Sequence, residues 1–372
     1  MTCSILPPHD TDSVNSNAGF SKERSVGLDI IRTLAILFVI GSHFFLHTKF
    51  NSMTFVGIDM FTLGMLQTLT MANVPLFIML TGYLNANKKV SRAYFKGMTR
   101  VLVSYLVISL IVILVRKYYL GESYSWLQWA LKITDFSAIP YAWYIEMWIG
   151  LFMLTPFLNI LWKGIEIKRH QQLLLLIIFV CSALPDFCNR YGVHLMPGYW
   201  TSASGILMYY YLGCYVRDYK PKIKIWKGIL AVIALCIVNP IASLLLRPGQ
   251  QMLHIIGGSF GIIVVPMTVI LFVLIYQLNF GNNWIRDSFA SVSVLSLDMY
   301  LLSYIFDATL YPLFGRWLGS EEDMVGFAYF LIVPILFLSS WLSAYLKDRI
   351  SVGIRVLLCY RCNPLARLTR FH

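Results

Sequence analysis

Apolar residues along this chain neither alternate nor keep to one helical face. They come in runs of about 20, the length a helix needs to cross roughly 30 Å of hydrocarbon. The runs predict helices near Gly27 to Thr48, Asp59 to Leu84, Tyr94 to Val115, Tyr141 to Trp162 and Gln172 to Pro185. Five more are expected near Trp200 to Val216, Ile225 to Leu246, Met252 to Leu278, Ser288 to Phe314 and Met324 to Leu346. Ser125 to Ser137, with Trp126, Trp129 and Lys132, is too short to span and suits an interfacial or re-entrant segment. No polar stretch between the runs is long enough to fold alone. The expectation is an all-α polytopic membrane protein of about ten transmembrane helices, with a polar tail at 1–26, one membrane domain at 27–346 and a basic tail at 347–372. Gly257 and Gly261 form a small-residue pair in the eighth predicted helix, read as a helix-packing contact.

Composition agrees: 58% of residues are hydrophobic, 13% are charged and the mean hydropathy is +0.67, whereas soluble domains carry roughly 25% charged residues. The formal charge of +12 raises nucleic acid as a partner, but the basic residues cluster in short loops between apolar runs. That is a topology signal, and no nucleic-acid partner is expected. On alternate loops, 22 Lys and Arg fall on one side and 7 on the other, with Arg32 inside the first helix. Both termini are therefore expected in the cytoplasm. Met1 to Arg24 has no apolar core with a cleavage site, so the first helix is expected to serve as an uncleaved insertion signal. Cys359 and Cys362 form a single CxxC without a second pair, which does not make a zinc site.

Ionisable groups inside hydrocarbon cost several kcal/mol unless they face a cavity or a partner, so each marks a functional candidate. Arg32 lies about one turn inside the cytoplasmic end of the first helix and His43 about one turn inside its outer end. Eleven residues at 100° each bring the two onto one face, roughly 16 Å apart along the axis. That spacing suits a long ligand that enters from the cytoplasm, such as coenzyme A, with its phosphates at one end and a thioester at the other. Two plainer readings stand beside it: Arg32 paired with Asp29, and His43 satisfied by a backbone carbonyl.

The stretch GLDIIRTLAILFVIGSH, ending at His43, resembles the first-helix motif of the membrane acyltransferase-3 family. VPLFIMLTGYL (Val74 to Leu84) resembles that family's second-helix signature, and YFKGMTRVLVSYL (Tyr94 to Leu106) the start of its third helix. In the latter, Gly97 replaces the first of two basic residues, leaving Lys96 and Arg100. AWYIEMWIGLFMLTPFLN (Ala142 to Asn159) and SLDMYLLSYIFD (Ser296 to Asp307) resemble later helices, with Ser303 where many members carry a histidine. The resemblance covers most of Gly27 to Asp307. It implies about ten helices and transfer of an acyl group, commonly acetyl, from cytoplasmic acyl-CoA to glycans across a bacterial inner membrane.

On this reading His43 is the catalytic base, and Glu146, at the same depth in the fourth predicted helix, orients its imidazole or makes a structural hydrogen bond. Arg32, Lys96 and Arg100 are placed on the donor phosphates. Trp143 and Tyr144 line the outer vestibule, as sugar platform or as interfacial anchors, while Asp298 and Asp307 contact the acceptor sugar or pair within the bundle. His47, four residues after His43, invites a metal reading, but no HExxH accompanies it. Lys49 and the polar residues beside it suggest a solvated side chain, so no metal is assigned. Expected partners are acetyl-CoA as co-substrate, a surface polysaccharide or lipid-linked oligosaccharide, and membrane lipids. The rivals are a glycan or lipid transporter without chemistry, and a non-catalytic subunit of a glycan assembly complex.

Overall fold

A computed structural model describes residues 25–189, 194, 196–252, 258–318 and 325–362. In chain order they form α1 (Val26–His47), α2 (Gly57–Thr70), α3 (Asn73–Asn85), α4 (Arg92–Lys96), α5 (Met98–Tyr118), α6 (Trp126–Thr134) and α7 (Trp143–Gly164). Then come α8 (Lys168–Cys188), α9 (Thr201–Tyr219), α10 (Ile225–Leu246), α11 (Val264–Ile275), α12 (Asn283–Leu318) and α13 (Val325–Cys362). Among the described residues the one strand-like pairing is an isolated antiparallel bridge between Thr54 and Gln251. A chain in hydrocarbon must satisfy its backbone internally, and helices do so segment by segment.

Among the described residues eight segments are long and apolar enough to cross a membrane: α1, α2 with α3, α4 with α5, α7, α8, α10, α12 and α13. The remaining two predicted runs differ in kind. In α9 the consecutive Tyr209, Tyr210 and Tyr211 are all buried, so this helix faces protein rather than lipid. α11 has only 12 residues, because the chain ahead of it turns at Gly258 to Ile263. Gly261 therefore sits in a turn and not in a helix with Gly257, which lies outside the described residues. The second predicted run is broken at Met71 and Ala72, since Pro75 in the first turn of α3 has no N–H and its ring opposes the carbonyl four residues back. Asn73 compensates in part by accepting the Val74 N–H at 2.6 Å. At the other end of the chain α13 does not stop at Leu346 but continues to Cys362.

α1 sits at the centre, packed on α2, α3, α11, α12 and α13. Its buried face, Ile31, Ala35, Ile36, Val39, Ile40 and Phe44, recurs at the helical spacing of three and four. α3 and α9 meet backbone to backbone: a Cβ added to Gly82 would lie 2.0 Å from the Tyr210 carbonyl oxygen, and one on Gly213 2.0 Å from that of Met79. Only glycine permits such proximity.

Polar contacts gather the loops at two ends. At one, Asn159 donates to the carbonyls of Asn85 (2.7 Å) and Lys88 (2.8 Å), Arg217 donates to that of Tyr83 (2.7 Å), and the Trp162 indole donates to Asp218 (2.8 Å). At the other, the Phe55 N–H donates to Gln250 (2.9 Å) and the backbone of Gly326 packs against Asp59. Three helices are also joined inside the bundle: Lys347 of α13 donates to Asp298 of α12 at 2.7 Å and to Ser104 of α5 at 2.6 Å. Ser104 in turn donates to the other Asp298 oxygen.

Two stability predictions follow from these contacts. Gly82→Ala is expected to destabilise the detergent-extracted protein by about 1–3 kcal/mol through overpacking, whereas Gly150→Ala, whose Cβ would meet nothing within 4 Å, is expected to be neutral. Equal melting curves for the two variants would contradict the close α3–α9 approach. Lys347→Met leaves the Asp298 carboxylate without its cation, at a cost of about 3 kcal/mol. Adding Asp298→Leu is expected to recover much of that loss in thermal unfolding, and simple additivity would show that the pair is not coupled.

Candidate active site

The C-terminal third of α1 delivers His43 to α12, where Nδ1 lies 2.8 Å from Oδ2 of Asp307. The Asp307 side chain is fully buried and that of His43 is largely so. A carboxylate in such surroundings is tolerated only when paired and hydrogen-bonded. The same Oδ2 accepts the Tyr141 hydroxyl at 2.9 Å, while Oδ1 is buried without a partner among the described residues. Tyr141 also stacks on the His43 ring, with centroids 3.9 Å apart, and its hydroxyl lies 2.8 Å from Nε2 of His47.

Proton positions follow from donor chemistry. An ionised carboxylate only accepts, so Nδ1 of His43 carries the proton facing Asp307 and the ring's Nε2 keeps a free lone pair. Tyr141 spends its hydroxyl proton on Asp307, so His47 must donate to the tyrosine through Nε2. His47 is thus not simply solvated: it is bonded to Tyr141 and its ring stacks on Tyr311 at 4.6 Å. Lone-pair placement at Nε2, fixed by a carboxylate behind the ring, is the arrangement of a general base.

On the same face of α1 a cavity of about 240 Å³ opens, lined by Arg32 and Val39 of α1 and by Thr81 and Asn85 of α3. Val101 of α5, Tyr144 and Trp148 of α7, and Leu297 and Tyr300 of α12 complete most of the wall. Arg32 donates to the Ser293 hydroxyl at 2.7 Å, which ties α1 to α12 a few turns from the histidine. Tyr300 connects the cavity to the dyad, because its hydroxyl donates to the backbone carbonyl of Tyr141. The cavity wall is mostly apolar, with Arg32 its one cation among the described residues. A mostly apolar space with one cation suits an apolar chain that carries a negatively charged head.

The structure redistributes the other sequence candidates. The carboxylate on the imidazole is that of Asp307, not Glu146; Glu146 is exposed in the first turn of α7, where facing outward removes the burial that made it suspect. Asp298 is held by Lys347 and Ser104, and Asp307 by His43 and Tyr141, so both carboxylates have partners within the bundle. Tyr144 lines the cavity, with its ring edge-on to Tyr300 at 5.6 Å. Trp143 is about half exposed (51%) and lies outside the cavity. Lys96 and Arg100 are exposed on either side of Gly97, and the cavity residue nearest to them in sequence is Val101. Ser303 is buried and returns its hydroxyl to the Tyr300 carbonyl at 2.9 Å. Neither Tyr141 nor Tyr300 stands out in the sequence: Tyr141, just ahead of a helix, looks like an interfacial anchor, and Tyr300, in mid-helix, looks like ordinary packing. The one available signal was Asp307 itself, a carboxylate that needed donors.

Comparison with known proteins bears on this geometry. No curated protein and no solved structure gives a match. The acyltransferase domain profile of acyltransferase family 3 matches residues 25–347, a stretch that contains His43, Asp307, Tyr141 and the whole cavity wall. With most of its length covered by that match, the chain belongs to the acyltransferase 3 family and is a multi-pass membrane acyltransferase.

Proposed function

We propose that this protein is an O-acyltransferase that moves an acyl group, most simply acetyl, from cytoplasmic acyl-CoA to a hydroxyl of a surface polysaccharide or lipid-linked glycan. The observation that carries the reading is the 2.8 Å contact between a fully buried Asp307 and Nδ1 of His43, which shares α1 with the arginine of the cavity. In this reading the basic ends of the helices face the cytoplasm of a bacterial cell, both termini included, and the membrane is the inner one.

The donor's pantetheine arm would occupy the apolar cavity with its polar end toward Arg32. Lys96 and Arg100, exposed at the basic end, would meet the nucleotide phosphates from outside the cavity. His43 Nε2 takes the proton from the acceptor hydroxyl as its oxygen forms a bond to the thioester carbonyl carbon. The C–S bond then breaks, and the departing thiolate receives the proton from the imidazolium. Asp307 keeps the Nδ1 proton in place and stabilises the transient positive ring. A two-step variant through an acyl-imidazole uses the same residues and differs in giving ping-pong kinetics. The transporter and scaffold alternatives assign no task to a buried imidazole with a free Nε2 lone pair.

Labelled acetyl-CoA supplied to inside-out vesicles containing the native glycan tests this. His43→Ala is expected to lower label transfer by at least roughly 10²-fold. Asp307→Asn, which keeps the shape and loses the charge, is expected to cost about 10²-fold or more. Glu146→Gln is expected to stay within about twofold of the parent, as an exposed side chain away from the imidazole should. Full transfer by His43→Ala, with normal membrane insertion, would sink the site.

A further inference from the structure

Arg116, in the last turn of α5, is buried (8% exposed) and has no place in the chemistry just described. Its donors are nonetheless heavily used. Nε and one terminal nitrogen grip the two oxygens of Glu122 at 2.9 and 2.7 Å. The other terminal nitrogen donates to the carbonyls of Ser137 and Ala138 at 3.1 and 2.8 Å. The guanidinium also lies over the ring of the buried Trp129, 5.3 Å from its centroid, so α6 is fastened beneath it.

Those two carbonyls belong to the turn that leads into Tyr141. Phe136 there has a positive φ of 57°, a conformation that a residue with a Cβ adopts only at a cost. The turn is held from both sides: Asp135 accepts the Ser137 N–H at 3.0 Å and Arg116 takes the carbonyls. Ala138 and Ile139 are then fully buried, and three residues after Ala138 the Tyr141 ring lies on His43 with its hydroxyl on Asp307. A planar fork with a fixed spread of donors can hold a carboxylate and two carbonyls at once, which a single ammonium cannot.

We infer that Arg116 is a positioning residue for the acyl-transfer site: it fixes the 135–138 turn so that Tyr141 stays stacked on His43 and bonded to Asp307. The inference rests on the functional reading above. Its effect should fall on the rate of the chemical step and not on donor binding, because the cavity wall contains neither Arg116 nor the turn.

The test uses the full-length protein in inside-out vesicles with labelled acetyl-CoA, each rate normalised to inserted, folded protein. Arg116→Lys and Tyr141→Phe are each expected to lower the saturating rate roughly tenfold, with the donor KM changed by less than about twofold. The double variant is expected to be no slower than the worse single one, since both act on one contact. A parental rate per folded molecule for Arg116→Lys, even with poor expression, would make the arginine merely structural and overturn the inference, as would losses that multiply in the double variant. His43→Ala, assayed in parallel, separates the two levels. If it transfers label like the parent, the functional reading falls; if it is silent while Arg116→Lys is unimpaired, only this inference falls.

Discussion

A single carboxylate oxygen organises the end of the bundle at which α1 finishes. Oδ2 of Asp307 has no exposure to solvent, so its charge must be balanced by donors brought from elsewhere in the chain. Those donors come from the C-terminal part of α1 and from the segment just ahead of α7. Satisfying one buried anion thus fixes three pieces of chain against each other, and it selects the imidazole tautomer with a free Nε2. Stability and reactivity share the same bonds here. A neutral side chain at position 307 would relieve the cost of burial and with it the reason for His43 to point one way.

Much of the fold was legible from hydrophobic runs because a bilayer imposes one length and one kind of secondary structure on whatever crosses it. The departures occur where protein takes the place of lipid. α9 reads as an apolar run yet turns Tyr209, Tyr210 and Tyr211 into the bundle, with hydroxyls donated to Ser259, Asn159 and Leu158. The apolar run around α11 is long enough for a full span, but residues 258–263 ahead of the helix form turns that periodicity does not reveal. The break between α2 and α3 needed Pro75 to be weighed above the continuous apolar pattern around it.

The site was legible in part for a related reason. Arg32 and His43 share a helix, so their relation follows from a known rise and rotation per residue. His43 and Asp307 are 264 positions apart, and nothing local in either stretch specifies that α1 packs on α12. Depth alone made Glu146 an equally good partner, yet its azimuth on α7 turns it outward. Tyr141 was hidden for the opposite reason: its neighbours in sequence form a turn whose path is set by Arg116, so its placement depends on contacts from three separate segments.

The glycine contact between α3 and α9 has a mechanical consequence. Thr81 and Asn85 of the cavity wall lie within one turn of Gly82, and that helix cannot slide or rotate over its neighbour without driving one backbone into the other. One side of the cavity is in effect an anvil. Whatever room a bound chain requires must be made by the opposite side, where α5, α7 and α12 meet the space through side chains that can change rotamer.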